Sequence, residues 1–219
     1  MIEAVIFDID GTLVDSVDFH ARAWHETFKH FGRDVAYEKV RHQIGKGGDQ
    51  YLPVFLSEKE IREMGAEIEK FRGDLFKEQY LERVRPFPQV RELCERLQQD
   101  GKRVALASSG NGAEVDHYVK LAGIGELVEA QMTKSNVKHS KPRPDVFVGA
   151  LNLLHLPADE TIVIGDTPYD VQAAKNIELR TIGLLCGGFS EDELRAAGAI
   201  SIYRDPADLL ENYSRSHLG

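Results

Sequence analysis

The chain has 219 residues, 42% hydrophobic and 29% charged, ordinary values for a globular protein built as one large domain or as a core with a smaller insert. Its net charge of −9 argues against an electrostatic nucleic-acid footprint, so nucleic acid is not an expected partner. No run of 18 apolar residues is present, so no membrane span is expected; Glu3 and Asp8 stand where a secretory signal needs basic then apolar residues, which makes the expected location cytoplasmic.

The first element, residues 2–7, is an apolar run interrupted only by Glu3 and reads as a strand. Phe7-Asp8-Ile9-Asp10-Gly11-Thr12 follows, and Gly11 and Thr12 break the strand into a turn. Alternate strand residues share a face, so Asp8 and Asp10 can both point into one site at the carboxyl edge of a sheet, where open α/β folds bind ligands. Two carboxylates this close repel. Either one is protonated or a cation sits between them. The plain alternative is a turn carrying two solvated aspartates.

Residues 15–85 are helix-rich, charged and poor in strand signal. Phe19, Ala23 and Thr27 fall on one helical stripe beside Trp24, Phe28 and Phe31, and the aromatic stripe reads as the inner core of a helical bundle. Residues 58–83 read as one or two helices with Ile61, Met64, Ile68, Phe71, Leu75 and Phe76 at helical spacing. Ile44-Gly45-Lys46-Gly47-Gly48-Asp49 is a glycine-rich turn with one cation and without the strand context of a nucleotide-binding motif; either it is a flexible loop or Lys46 reaches into the site. Arg72 reads as a solvated helix residue and a lesser site candidate. Pro86-Phe87-Pro88 reads as the return to the main domain.

From there strand and helix alternate. Strands are expected at 104–108, 161–165, 180–185 and 199–203, with a weaker one at 127–130; helices are expected near 88–100, 112–122, 143–154 and 168–177. This is the pattern of an α/β fold, a Rossmann-like parallel sheet with helices on both faces. Cys94 lies at helical spacing with Val90 and Leu97 and reads as a core thiol; Cys186 has no assigned role. Three later segments end at the same sheet edge. In Ser108-Ser109-Gly110-Asn111, a hydroxyl and turn amides can hold a phosphoryl oxygen, or a serine can cap the next helix. Pro142 and Pro144 fit a first helical turn and fix Lys141 beside them. Asp166 and Asp170 add two carboxylates after the strand at 161–165, although Asp170 also suits a helix start.

Together these four segments resemble the haloacid-dehalogenase superfamily of phosphotransferases: Asp8-Ile9-Asp10-Gly11-Thr12 first, then Ser108, Lys141 and Asp166…Asp170. The helical insert resembles the small α-helical cap of its phosphoglycolate phosphatase and β-phosphoglucomutase branch. The resemblance implies a core of residues 1–14 and 86–219 with a cap at 15–85. It also implies a Mg²⁺ ion held by the Asp8 and Asp166 carboxylates and the Asp10 carbonyl. Two unit charges 4 Å apart interact by about 4 kcal/mol at an effective dielectric of 20, so a carboxylate needs such an ion to meet a phosphate.

By the same resemblance Asp8 is the nucleophile, Asp10 the general acid and base, and Ser108 and Lys141 neutralise the phosphoryl oxygens. Ser109 and Gly110 join the phosphate site, and Asp170 orients Lys141 or a metal-bound water. The expected activity is hydrolysis of a small phosphorylated metabolite, phosphoglycolate-like or sugar-phosphate-like, by a monomer or small homo-oligomer. Phe19-His20-Ala21-Arg22-Ala23-Trp24 resembles the matching helix of β-phosphoglucomutases, where the histidine assists closure around the acid. Those mutases carry a cap-turn arginine for a second phosphate. Here Lys46, Gly48 and Asp49 occupy that place, which weighs against the mutase alternative. A non-catalytic binding or regulatory protein is the alternative of another class, and the complete motif set argues against it.

Overall fold

The computed structural model describes residues 1–219. Strand β1 (Ala4–Phe7) leads through the short β2 (Val14–Asp15) into four helices: α1 (Val17–His30), α2 (Tyr37–Arg41), α3 (Gly48–Tyr51) and α4 (Glu58–Gln79). The short β3 (Arg85–Pro86) brings the chain back. Helices and strands then alternate as α5 (Val90–Gln99), β4 (Arg103–Ala107), α6 (Gly112–Ala122), β5 (Ala130–Met132), α7 (Asp145–Leu154), β6 (Thr161–Gly165), α8 (Pro168–Lys175), β7 (Arg180–Leu184), α9 (Glu191–Ala197), β8 (Ser201–Tyr203) and α10 (Pro206–Glu211).

Six strands form one parallel sheet in the order β5-β4-β1-β6-β7-β8. All four residues of β1 are buried, as a central strand covered on both faces requires. Alternation divides its side chains between two cores. Val5 and Phe7 pack with Leu93, Leu97, Val115 and Tyr118 from α5 and α6. Ala4 and Ile6 pack with Val146, Phe147, Ala150 and Ala173 from α7 and α8. After β1 the next sheet strand, β4, pairs on one side, whereas β6 pairs on the other. This reversal opens a crevice at the carboxyl ends of β1 and β6, the switch point where doubly wound sheets bind ligands.

The helical segment has its own core, in which Val17, Trp24, Phe28, Tyr51, Leu52 and Ile68 pack together. Helix α4 is started by a capping box in which Ser57 Oγ accepts from Glu60 N–H while the Glu60 carboxylate accepts from Ser57 N–H. The chain enters and leaves this segment side by side: β2 and β3 pair antiparallel, and Phe87 N–H donates to Leu13 O at 2.9 Å. No helix is long and apolar enough to cross a membrane.

Three expectations shift. The weak strand at 127–130 forms later, at Ala130–Met132, because Leu127 N–H turns back to Ile124 O and the ladder to β4 begins with Glu129 N–H on Val104 O. Helix α7 starts at Asp145, so Pro142 lies ahead of it in a turn closed by Arg143 N–H on Ser140 O. The region 58–83 is one long helix to Gln79 followed by a single tight turn.

Leu106 in β4 is fully buried, so Leu106→Ala lowers unfolding free energy by about 2–5 kcal/mol through lost burial and a residual cavity. Val148 on α7 is 38% exposed, and Val148→Ala stays within about 0.5 kcal/mol. Urea denaturation midpoints separate the two.

Candidate active site

Asp8 is the first residue past β1, and its N–H donates to Ile164 O, which continues the pairing with β6. This places the Asp8 carboxylate at the switch point. Lys141 Nζ, fully buried, lies 2.5 Å from Asp8 Oδ1, 2.8 Å from Asp170 Oδ1 and 2.7 Å from the Ala107 carbonyl. It donates to Asp8 and to the Ala107 carbonyl and forms an ion pair with Asp170. Burial opposes the charge on Lys141, but Asp170 and Asp8 outweigh it and hold the ammonium form beyond the usual lysine range.

Asp170 has a double part. One oxygen meets Lys141; the other accepts from Thr167 N–H and Oγ1, closing a capping box at the start of α8. The residue that starts α8 is thus also the one that pairs with Lys141. Asp166 follows β6 and is fully buried; Thr12 Oγ1 donates to its Oδ1 at 2.8 Å, and its Oδ2 has no partner.

One carboxylate oxygen each from Asp8, Asp166 and Asp170 fall within 4.8 Å of one another. Three carboxylates face one ammonium, so two negative charges are unbalanced in a buried site. Burial, with the charges of Asp170 and Asp10, pushes the Asp8 carboxyl up to about 7 against the pull of Lys141. Burial and the neighbouring Asp8 and Asp170 push Asp166 well above the usual carboxylate range. All the donors are oxygen, the charge deficit is divalent and Asp166 Oδ2 is unsatisfied. This donor set fits a hard divalent cation.

Asp10 lies in a different setting. Ser16 Oγ donates to Asp10 Oδ1 at 2.6 Å, and His20 Nε2 meets the same oxygen at 2.8 Å. Arg72 Nη2 contacts His20 Nδ1. A guanidinium can only donate, so Nδ1 accepts and Nε2 carries the hydrogen given to Asp10. Burial pushes the Asp10 carboxyl up, but His20, Ser16 and the Arg72 charge outweigh it and hold the group below its ordinary value. His20 is also stacked on Phe76 of α4, with ring centroids 4.0 Å apart.

Between the sheet edge and the helical segment lies a cavity of about 170 Å³. Asp8, Asp10, His20, Lys46, Ser109 and Gly110 all line it. Lys46 Nζ sits 4.5 Å from the Tyr169 ring centroid and 2.5 Å from Gln43 Oε1. Ser108 is fully buried just behind this surface, and its Oγ accepts from Gly110 N–H at 2.9 Å. Gly110 therefore contributes open space beside Asp10 rather than a free N–H: a Cβ there would lie 3.6 Å from Asp10 Oδ2. The cap of α6 is Asn111, whose Oδ1 accepts from Glu114 N–H, so neither serine is spent as a helix cap. Ser109 Oγ is buried without a partner.

Arg72 corrects the sequence reading. It is not solvated: it lines the cavity, its guanidinium packs 5.1 Å from the Phe76 ring, and its side chain is 16% exposed. Glu69, Glu114 and Lys134 also line the cavity and were missed. Glu69 shares the i, i+3, i+4 spacing of one helix face with Arg72 and Gly73, a signal that was available for Glu69 but not for Glu114 or Lys134. Cys94 is fully buried in the core as expected, and Cys186 Sγ donates to Gly11 O at 3.1 Å.

Sheet, switch point and carboxylate cluster define an α/β enzyme that handles its ligand at the carboxyl ends of its central strands. The chain belongs to the haloacid dehalogenase-like hydrolase family, whose sequence model matches residues 5–184. It is 32% identical over 96% of its length to SUPPRESSOR OF QUENCHING 1 of Arabidopsis thaliana, a chloroplastic protein of which it spans only 20%. It is 24% identical to the phosphorylated carbohydrates phosphatase of Thermotoga maritima, covering 95% of this chain and 96% of that one. Other bacterial relatives are named pyrophosphatase PpaX and phosphoglycolate phosphatase. The crystal structure of a hydrolase from Pseudomonas syringae superposes with a TM-score of 0.88 at 28% identity, over 97% of this chain and 98% of that one.

Two glycines give Asp166 its room. A Cβ at Gly11, where φ is +85°, would lie 2.4 Å from Asp166 Oδ2, and one at Gly187 would lie 1.6 Å from it. Gly187→Ala therefore displaces the unsatisfied oxygen and weakens divalent-cation affinity by about 10–100-fold, read by calorimetric titration, with an unchanged circular dichroism spectrum.

Proposed function

We propose that the chain is a Mg²⁺-dependent phosphatase that hydrolyses a small phosphomonoester through an aspartyl-phosphate on Asp8. The observation that carries this reading is the Asp8 carboxylate at the end of the central strand, 2.5 Å from a buried lysine and grouped with Asp166 and Asp170. The phosphatase names of the bacterial relatives support the same reading. In it, residues 15–85 form a cap over a core of residues 1–14 and 86–219.

Asp8, Asp166 and the Asp10 backbone carbonyl would hold the Mg²⁺. When bound, the ion supplies the positive charge that lets a carboxylate approach a phosphate dianion. Lys141 aligns the Asp8 carboxylate and, with the Ser108 and Ser109 hydroxyls, offers positive charge and donors to the phosphoryl oxygens. Lys46 approaches the phosphoryl group from the cap side.

An Asp8 oxygen attacks phosphorus in line; the Asp8 O–P bond forms as the bond from phosphorus to the ester oxygen breaks. Asp10 passes its proton to the departing alkoxide. Asp10 then takes a proton from water, the water oxygen attacks phosphorus, and the Asp8 O–P bond breaks to release inorganic phosphate. The hydrogen bonds from His20 and Ser16 favour ionised Asp10, the form the second step needs. A phosphate dianion beside Asp10 raises its affinity for a proton, so Asp10 takes one from solvent as substrate binds, and the proton taken from water in the second step restores the acid.

The mutase reading has less support. The place of the mutases' cap-turn arginine is taken by Lys46, Gly48 and Asp49; Lys46 is assigned to the first phosphoryl group, and Asp49 Oδ2 accepts from Ser140 N–H at 3.0 Å.

Phosphate release from 4-nitrophenyl phosphate requires Mg²⁺ and disappears in Asp8→Asn, which keeps the shape but loses the nucleophile. Wild-type turnover by that variant removes Asp8 from the role. Lys46→Ala raises KM for the phosphate ester by about tenfold while Mg²⁺ affinity stays the same, because Lys46 faces substrate and not the carboxylate cluster. Steady-state kinetics and a Mg²⁺ titration distinguish these effects.

A further inference from the structure

We infer that Glu69 and Glu114 make this cavity selective for phosphate esters of neutral polyhydroxyl alcohols and reject a leaving group that carries a second negative charge. The inference rests on the phosphatase reading above and names the substrate class for it. The relatives' names divide between carbohydrate phosphates, pyrophosphate and phosphoglycolate. The charges on the cavity wall distinguish among these leaving groups.

Of the 17 residues lining the cavity, Trp24 and Ile44 are the only two that are hydrophobic, so an apolar leaving group finds little to bury against. Three cations line it, and two are already committed. Lys134 Nζ meets Glu69 Oε1 at 2.7 Å. Arg72 contacts His20 Nδ1 and stands 3.8 Å from Glu114 Oε1. Lys46 alone has only neutral neighbours, Gln43 and the Tyr169 ring, and the phosphoryl dianion is its natural counter-charge. No uncommitted cation remains for a second anionic group.

The two glutamates supply the positive half of the selection. Glu114 is 8% exposed, and neither of its carboxylate oxygens accepts a hydrogen bond within the protein; Glu69 Oε2 also accepts none. A carboxylate only accepts, so its partner must be a donor. Alcohol hydroxyls donate; the ionised carboxylate of a glycolate and the charged oxygens of a second phosphate do not. Glu114 also stands where this choice is made. A Cβ built on Gly110 would lie 3.6 Å from Asp10 Oδ2 and 3.8 Å from Glu114 Oε2, so both carboxylates border the same small space. A charged group one or two bonds from the leaving oxygen would therefore have to compete with Glu114 for Arg72, whereas a hydroxyl there can donate to the Glu114 carboxylate and leave that pair intact.

The test compares kcat/KM of the full chain with Mg²⁺ on five probes: 4-nitrophenyl phosphate, glucose 6-phosphate, sorbitol 6-phosphate, phosphoglycolate and pyrophosphate. The two polyol phosphates should exceed phosphoglycolate and pyrophosphate by about tenfold or more. Glu114→Gln should narrow that ratio by raising turnover of phosphoglycolate. Hydrolysis of 4-nitrophenyl phosphate with phosphoglycolate or pyrophosphate equal to or better than both polyol phosphates overturns the selectivity and leaves the phosphatase reading standing. An unchanged ratio in Glu114→Gln overturns the part given to that residue. Failure to hydrolyse any of the five, 4-nitrophenyl phosphate included, overturns the phosphatase reading and the selectivity with it.

Discussion

Excess negative charge buried at the carboxyl ends of β1 and β6 is the constraint on which the rest of the molecule depends. Asp8, Asp166 and Asp170 converge there against the single ammonium of Lys141. Isolated buried carboxylates are costly unless paired, hydrogen-bonded or bound to metal. The surroundings supply the first two remedies in part: Lys141 and Thr167 satisfy Asp170, and Thr12 satisfies one oxygen of Asp166. The remaining deficit matches a divalent cation. Gly11 and Gly187 leave room for the unpartnered Asp166 Oδ2, which a side chain at either position would displace.

Asp8 and Asp10 are two residues apart yet chemically distinct, and the helical insert makes the difference. Asp8 is held by groups of the sheet domain. Asp10 is held by Ser16 and His20, and His20 in turn by Arg72 and Phe76, all between β2 and β3. The proton affinity of Asp10 is thus set by how the insert seats on the sheet edge. The paired β2 and β3 bring both connections of the insert to one place beside the carboxylates. This geometry ties the cavity wall and the setting of Asp10 to one structural unit.

Much of this was legible in the amino-acid order because each feature leaves a local trace. Apolar runs of four or five residues bounded by turns mark β1, β4 and β6, and their near-complete burial follows from the helices on both faces. Asp8, Asp10 and Asp166 announce themselves by standing where such runs end. Boundaries were less secure where packing decides them. Pro142 looked like a helix residue but lies before α7, and β5 begins only where its ladder to β4 can form. Asn111 rather than a serine caps α6, which no composition rule distinguishes, since both residue types cap well.

The sequence by itself determined the alternation of strand and helix, the helical insertion after the first strand and the chemical kinds of group at the strand ends. These depend on hydrophobic period and turn chemistry over a few residues. Only the tertiary structure decided which charges meet. Arg72 reads as a solvated helix residue and Glu69 carries no sign of a role until α4 turns them towards Glu114 and Lys134, 42 and 65 positions away along the chain. Pairing between distant residues depends on how helices pack on the sheet edge, and no local pattern encodes it. The four motif segments thus report what chemistry is available, and the packed insert sets the charge on the cavity wall above them.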